Sequence, residues 1–394
     1  MSLDSKWKSF YKFWVSHNFV RVNVAFFNVY FIWFVYQHTV SVFLTGLVPF
    51  FSLGGLLSAL YLEGYLIDRF NRRRLFELCN VLLLLLYLTL AFEKSLSWIY
   101  MVSFLSQAIT AISIDAFRAI TKDLLDKDQM SKGIAISQIG RGISYISGDL
   151  LAGVFLIFLQ GIFFVFFVVV AFLSIVTLYG SEVKNVNLPS GQRKIRYRDV
   201  FPHVLAVFPA MVLSFIMVGS SSALDVYSAY IISTYLKSGV LWYTLFIVAF
   251  PCGSIISGFY IASRSKKTDI NRLFVFLMFP YAILLLAISF SGRAFEVVIP
   301  ALLMGILSSF LTIRITTYIT VVTPREAIGR VNAIYYTLIA SNAPLLTFVY
   351  SIMGTIFNPM RIIFYTGVTV LLLIIPTYIY IGRGFAKSSS KIHD

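Results

Sequence analysis

Twelve apolar stretches follow one another along this chain, separated by short polar breaks. A helix needs about 20 apolar residues to cross the ~30 Å hydrocarbon core of a bilayer, and most of these stretches are that long. Runs such as Val81 to Phe92 (VLLLLLYLTLAF) are solidly apolar and lack the alternation a membrane β-barrel requires. A water-soluble fold is excluded as well. The chain is 59% hydrophobic and 12% charged, too little polar surface to cover so large a core. The expected fold is all-α integral membrane, with helices over about 14–37, 41–64, 73–92, 97–121, 134–158, 161–180, 204–235, 240–262, 270–290, 295–321, 329–355 and 360–382.

Twelve spans put both termini on one side, and the basic residues say which. Of the 32 Lys and Arg, 24 fall on the terminal side, four on the other (Lys94, Lys237, Arg293, Arg361) and four within or at the ends of spans. Cytoplasmic loops carry the basic excess, so both termini are expected in the cytoplasm of a plasma-membrane protein. The same bias accounts for most of the net charge of +15 without a nucleic-acid partner. The polar segment Ser181 to Asp199 sits near mid-chain. The expected organisation is therefore a first six-helix bundle over 1–180, a cytoplasmic linker over 181–203, and a second bundle with a short cytoplasmic tail over 204–394.

The two halves echo each other. GYLIDRFNRR from Gly64 has a counterpart in GFYIASRSKK from Gly258, an offset of 194. DKDQMSKGIAIS from Asp126 has a weaker one in PREAIGRVNAIY from Pro324, an offset of 198. The expected fold is accordingly twelve transmembrane helices in two pseudo-repeat bundles, an arrangement that places a site between the repeats.

Charge within a bilayer is costly, so its position is informative. Helices 3, 6, 9 and 12 have none in their apolar cores and form the expected lipid-facing set. Embedded ionisable residues are Arg21, Asp115, Arg118, Arg141, Asp149, Asp225 and Arg314, and five of the seven lie in helices 1, 4, 7 and 10. Asn18, Arg21, Ala25 and Asn28 share one face of helix 1, either as a substrate-facing stripe or as polar glue between helices. Asp115 and Arg118 are spaced to pair on one helix. Asp149 and Asp225 lie deeper, and either could carry a proton or hold a permanent salt bridge to Arg141 or Arg314. The small residues of helix 2 (Gly46, Gly54, Gly55), helix 5 (Gly140, Ser144, Gly148) and helix 8 (Gly253, Ser257, Gly258) read as static packing or as a seam along which the halves slide. Pro344 removes one hydrogen bond from helix 11 and predicts a kink there.

Enzyme chemistry finds little footing. His17, His38, His203 and His393 are scattered, Cys79 and Cys252 stand alone, and the HExxH, GxSxG and Walker patterns are absent. No cofactor or metal is expected.

Gly64-Tyr65-Leu66-Ile67-Asp68-Arg69-Phe70-Asn71-Arg72-Arg73 resembles the signature loop between helices 2 and 3 of the major facilitator superfamily. Asn71 stands where that family usually has Gly, and Asn tolerates the left-handed conformation such a turn would use. Thr323 to Val331 (TPREAIGRV) is similar to the family's entry to helix 11. The resemblance implies secondary active transport of a small molecule by alternating access. It implies that Asp68 faces the N-terminus of helix 11 as part of a cytoplasmic gate. Gly64 would then allow close packing, and Arg69, Arg72 and Arg73 would anchor the cytoplasmic face, pairing with acids such as Asp123 or Glu77. The second copy has Ala262 in place of Asp68, so the gate is asymmetric. Phe104 to Ala108 lacks the arginine of the drug-antiporter branch, which argues against a proton-coupled drug exporter. The resulting reading is a monomeric transporter that contacts membrane lipid and a small solute. Helices 1, 2 and 11 look most like family exporters, and proton coupling is one option. The alternatives are an uptake permease for an anion and a transporter-like sensor.

Overall fold

The structure, a computed structural model, describes residues 3–180, 197–263, 270–324 and 328–390. Its α-helices are α1 (Leu3–Thr39), α2 (Val42–Arg69), α3 (Arg72–Thr89), α4 (Leu96–Leu124), α5 (Lys127–Phe158), α6 (Phe163–Val176), α7 (Tyr197–Tyr230), α8 (Val240–Ser263), α9 (Ile270–Ser289), α10 (Phe295–Val322), α11 (Ile328–Ile356) and α12 (Pro359–Ser390). Among the described residues, eight helices are each long and apolar enough to cross a membrane, and three shorter apolar helices accompany them. The protein is an all-α integral membrane protein of two six-helix bundles.

The chain separates into two compact units, Met1–Ser190 and Gly191–Asp394. Of the expected linker, residues 181–196 lie outside the described residues, and 197–203 are already the first turns of α7. Other boundaries also move outward. α1 starts at Leu3 rather than near 14, α5 at Lys127 rather than 134, and α2 runs on to Arg69. The apolar window marks the membrane-embedded part of a helix, whereas its backbone hydrogen bonds continue into the charged turns beyond. α6 goes the other way and ends at Val176.

Each unit repeats one packing scheme. In the first, α1 packs on α5, α2 on α4, and α3 on α4 and α6. In the second, α7 packs on α11, α8 on α10, and α9 on α10 and α12. The closest approaches coincide under the repeat. A Cβ at Gly55 would fall on the carbonyl oxygen of Phe104, and one at Gly253 on that of Leu302, both members displaced by 198 residues. The turns coincide too. Val40 after α1 and Lys237 after α7 both have φ 50, a left-handed conformation that a β-branched residue rarely adopts. Gly140 and Gly148 of α5 likewise lie against α1, meeting Asn18 and Trp14, and Ala25 and Val22. These glycines therefore join helices within a unit, and the sliding-seam reading of them gives way to close packing. α11 runs through Pro344.

Asn71 departs from expectation in a simple way. Its φ is −61, and it caps α3, its Oδ1 accepting from the backbone N–H of Arg73 (3.1 Å) and Arg74 (3.2 Å). A helix start needs an acceptor for its free N–H groups, which Asn supplies and Gly cannot.

The units are filled differently. The first has an aromatic ladder: Phe26 stacks on Phe166 (4.1 Å) and meets Phe155 and Phe167 edge-on, while Tyr30 stacks on Phe163 (4.8 Å) and Tyr87 on Phe167 (4.8 Å). The second is laced by hydroxyls, with Tyr227 donating to the Tyr350 carbonyl (2.6 Å) and Ser214 hydrogen-bonded to Tyr335 (3.0 Å).

Candidate functional site

Inside the first unit, polar side chains from four helices converge. Glu63 of α2 lies beside Asp115 of α4, and Asp115 pairs with Arg118 at 2.6 Å. Arg21 of α1 lies within electrostatic reach of Arg118 and of Arg141 and Tyr145 on α5, and its Nη1 donates to the Ser137 carbonyl at 3.3 Å. His17, one turn earlier on α1, is fully buried, feels Arg21 and Arg118, and stacks on Phe117 at 4.6 Å. Neither of its ring nitrogens has a hydrogen-bond partner among the described residues. Three arginines outnumber the two carboxyl groups of Glu63 and Asp115.

The helix 1 stripe is divided by this geometry. Asn18 and Ala25 are turned to α5, where Gly140 and Gly148 make room for them. Asn28 accepts a hydrogen bond from Ser52 of α2 at 3.4 Å. Arg21 alone of the four joins the charged cluster. Asp149 of α5 is 6% exposed, and neither it nor Asp225 of α7 has an ion-pair partner among the described residues. A permanent salt bridge to Arg141 or Arg314 is therefore absent from both. Asp225 lies within electrostatic reach of Tyr281 of α9. Arg314 lies over the Phe310 ring at 5.3 Å.

At the end of α2, Arg72 binds both oxygens of Asp123 at 2.6 Å with both side chains largely buried, and Arg73 binds Glu77 at 2.7 Å. Arg69 bonds the Tyr65 hydroxyl and lies over its ring. Gly64 and Asp68 are in the last turns of α2, and their side chains lie outside the described residues.

Sequence reasoning missed Glu63 and His17. Glu63 sits one residue before the expected end of helix 2, so its charge was not counted as embedded. Its register against Asp115 depends on how α2 meets α4, which one strand of sequence does not encode. His17 lies four residues before Arg21, so the spacing that put Arg21 on a polar face would have included it.

The family model of the Major Facilitator Superfamily matches residues 13–347. No curated protein matches the chain in sequence at a significant level. Among solved structures, a bacterial homolog to the human lysosomal transporter Spinster, inward-facing and unoccupied, aligns with a TM-score of 0.72 at 12% identity, covering 98% of this chain and 99% of that one. A POT family transporter in complex with a thioalcohol conjugated peptide gives 0.75 at 10% identity, with 95% and 96% covered. The human organic anion transporter MFSD10 gives 0.66 at 13%, with 95% and 99% covered. At such identities the likeness is one of fold. The match of the family model over most of the chain shows that this multi-pass membrane protein, a transporter and not an enzyme, belongs to the major facilitator superfamily.

Proposed function

We propose that the protein is a secondary active transporter that exports a small solute bearing an anionic group across the plasma membrane by alternating access, with both termini in the cytoplasm. The observation that carries this reading is the excess of positive charge where Arg21, Arg118 and Arg141 outnumber the carboxyl groups of Glu63 and Asp115. Unbalanced charge in an apolar bundle is expensive, and a bound anion offsets the cost. Guanidinium groups also suit carboxylate or phosphate through paired N–H donors. The basic bias of the terminal-side loops supports the orientation, and the resemblance of helices 1, 2 and 11 to family exporters supports the direction. Asp149, buried in α5, and Asp225 of α7, both without ion-pair partners among the described residues, are the groups placed to couple transport to protons. Asp68, with Gly64 beside it and Arg69, Arg72 and Arg73 behind it, serves as the cytoplasmic gate.

A thermal-shift screen with anionic, zwitterionic, cationic and neutral solutes tests the charge preference, since a ligand of the folded state raises Tm by mass action. Anionic or zwitterionic solutes raise Tm in the wild type, and Arg21→Gln removes the shift. Stabilisation by lipophilic cations alone would overturn the reading. Flux of the stabilising solute into inverted proteoliposomes then separates a transporter from a sensor. Asp68→Asn abolishes that flux while leaving solute binding intact; unchanged flux would sink the gate role.

A further inference from the structure

A groove of about 650 Å³ runs between α7, α11 and α12 in the second unit, within the range of ligand sites. It exists because α12 leans on α9 and α7 and meets α11 sparingly. Its walls are mainly apolar, with Phe215, Val349, Phe357, Tyr365 and Leu373 partly exposed along it. The polar groups of its floor are already engaged. Ser220 donates to the Met217 carbonyl (2.9 Å) and Thr366 to that of Ile362 (2.8 Å), and Thr366 also reaches the Tyr350 hydroxyl (3.4 Å). The groove thus offers its occupant apolar surface along its length and one cation, Arg361, at its end.

Arg361 is the third residue of α12 and is exposed, with no ion pair among the described residues. From Arg361 to Leu373 a helix rises ~18 Å. That is close to half of the ~30 Å hydrocarbon core, the depth of a single leaflet. We infer that the α7–α11–α12 groove binds one anionic membrane phospholipid, its acyl chain along the groove and its phosphate on Arg361. The surroundings fix the choice of occupant. The walls are mainly apolar, and Arg361 sits at the start of α12, at the end of the groove where an apolar span begins. An arginine at the end of a span attracts anionic headgroups.

The test is native mass spectrometry of the detergent-purified full chain titrated with palmitoyl-oleoyl phosphatidylglycerol or the matching phosphatidylcholine. One phosphatidylglycerol is retained per chain, about fivefold more tightly than phosphatidylcholine. Arg361→Gln brings the two lipids to the same affinity. Thr369→Trp, a bulky side chain at an exposed groove position, abolishes retention of both. Equal affinity for the two lipids in the wild type, or retention unchanged by Thr369→Trp, would overturn the inference. Inorganic phosphate supplies a control arm. If it raises Tm through Arg361 as strongly in Thr369→Trp as in the wild type, the site is one for a free anion and the lipid assignment fails. Photo-crosslinking of the wild type with a phosphatidylglycerol carrying an acyl-chain diazirine needs no variant. It labels peptides of α11 and α12, and labelling elsewhere alone would overturn the assignment.

Discussion

The two units use the same helix pairings and fill them with different side chains. The first packs stacked rings at its α1–α6 contact and holds a charged cluster at α1, α2, α4 and α5. The second sets the Tyr227 hydroxyl and the Asn342 amide against carbonyls at its α7–α11 contact and leaves a groove beside them. Helix association within a bilayer draws on packing and hydrogen bonds rather than on exclusion of water. Either currency suffices, so a duplicated scaffold can keep its backbone contacts while its side chains diverge. The shared part is the backbone, at Gly55 and Gly253, and the divergent part is where ligands are proposed to bind.

The largest expected effect falls on the ring-packed unit. Phe26→Ala empties the centre of the ladder and costs about 4 kcal/mol, read as a fall in Tm of the purified protein. Tyr281→Phe in the other unit removes one buried hydroxyl that has no hydrogen-bond partner among the described residues, and its Tm stays within about a degree of the wild type or rises. Equal losses would mean that the units do not differ in the way their cores suggest.

The next pair tests what the units share. Gly55→Val and Gly253→Val each drive a side chain into a backbone carbonyl that cannot swing aside, for a cost of about 3 kcal/mol. Because the two contacts are related by the repeat, the losses match. Should one variant fold normally while the other does not, the equivalence of α2–α4 and α8–α10 is broken.

Much of this was legible in the sequence for a definite reason. Membrane spans announce themselves by length and apolarity, and the repeat survives in residues that lie at its backbone contacts and loops. The acids for Arg72 and Arg73 could be named because Glu77 is one turn away and Asp123 ends the neighbouring span. What stayed hidden depends on relative helix rotation. Asn18 and Ala25 read as cavity residues until α5 was seen to cover them. Glu63 became part of a site only when α2 met α4. The groove has no motif at all, since it is a gap between α11 and α12 defined by what does not touch.

A smaller effect tests the hydroxyl lacing. Tyr227→Phe removes the 2.6 Å bond to the Tyr350 carbonyl and costs about 1 kcal/mol, with more if the carbonyl finds no other donor. In the first unit, Tyr30 donates to the Gln160 carbonyl at 3.1 Å, and Tyr30→Phe costs less, because that bond is longer than the one Tyr227 makes. A larger loss at Tyr30 than at Tyr227 would reverse the assignment of which unit relies on hydroxyls.

The smallest effect is a gain, and it returns to the turns where both halves bend alike. Val40 and Lys237 sit at φ 50, where an L residue is strained by about 1 kcal/mol or more and a β-branched one most of all. Glycine relieves the strain, although it also raises the entropy of the unfolded chain, which offsets part of the gain. Val40→Gly therefore raises Tm modestly, and Lys237→Gly raises it less, because an unbranched side chain is less crowded there. Val40 is 69% exposed, so no core contact is lost to confuse the comparison. If Val40→Gly instead lowers Tm, then the turn is held by a contact of the valine side chain, and the left-handed conformation is a consequence of packing rather than of the repeat's geometry.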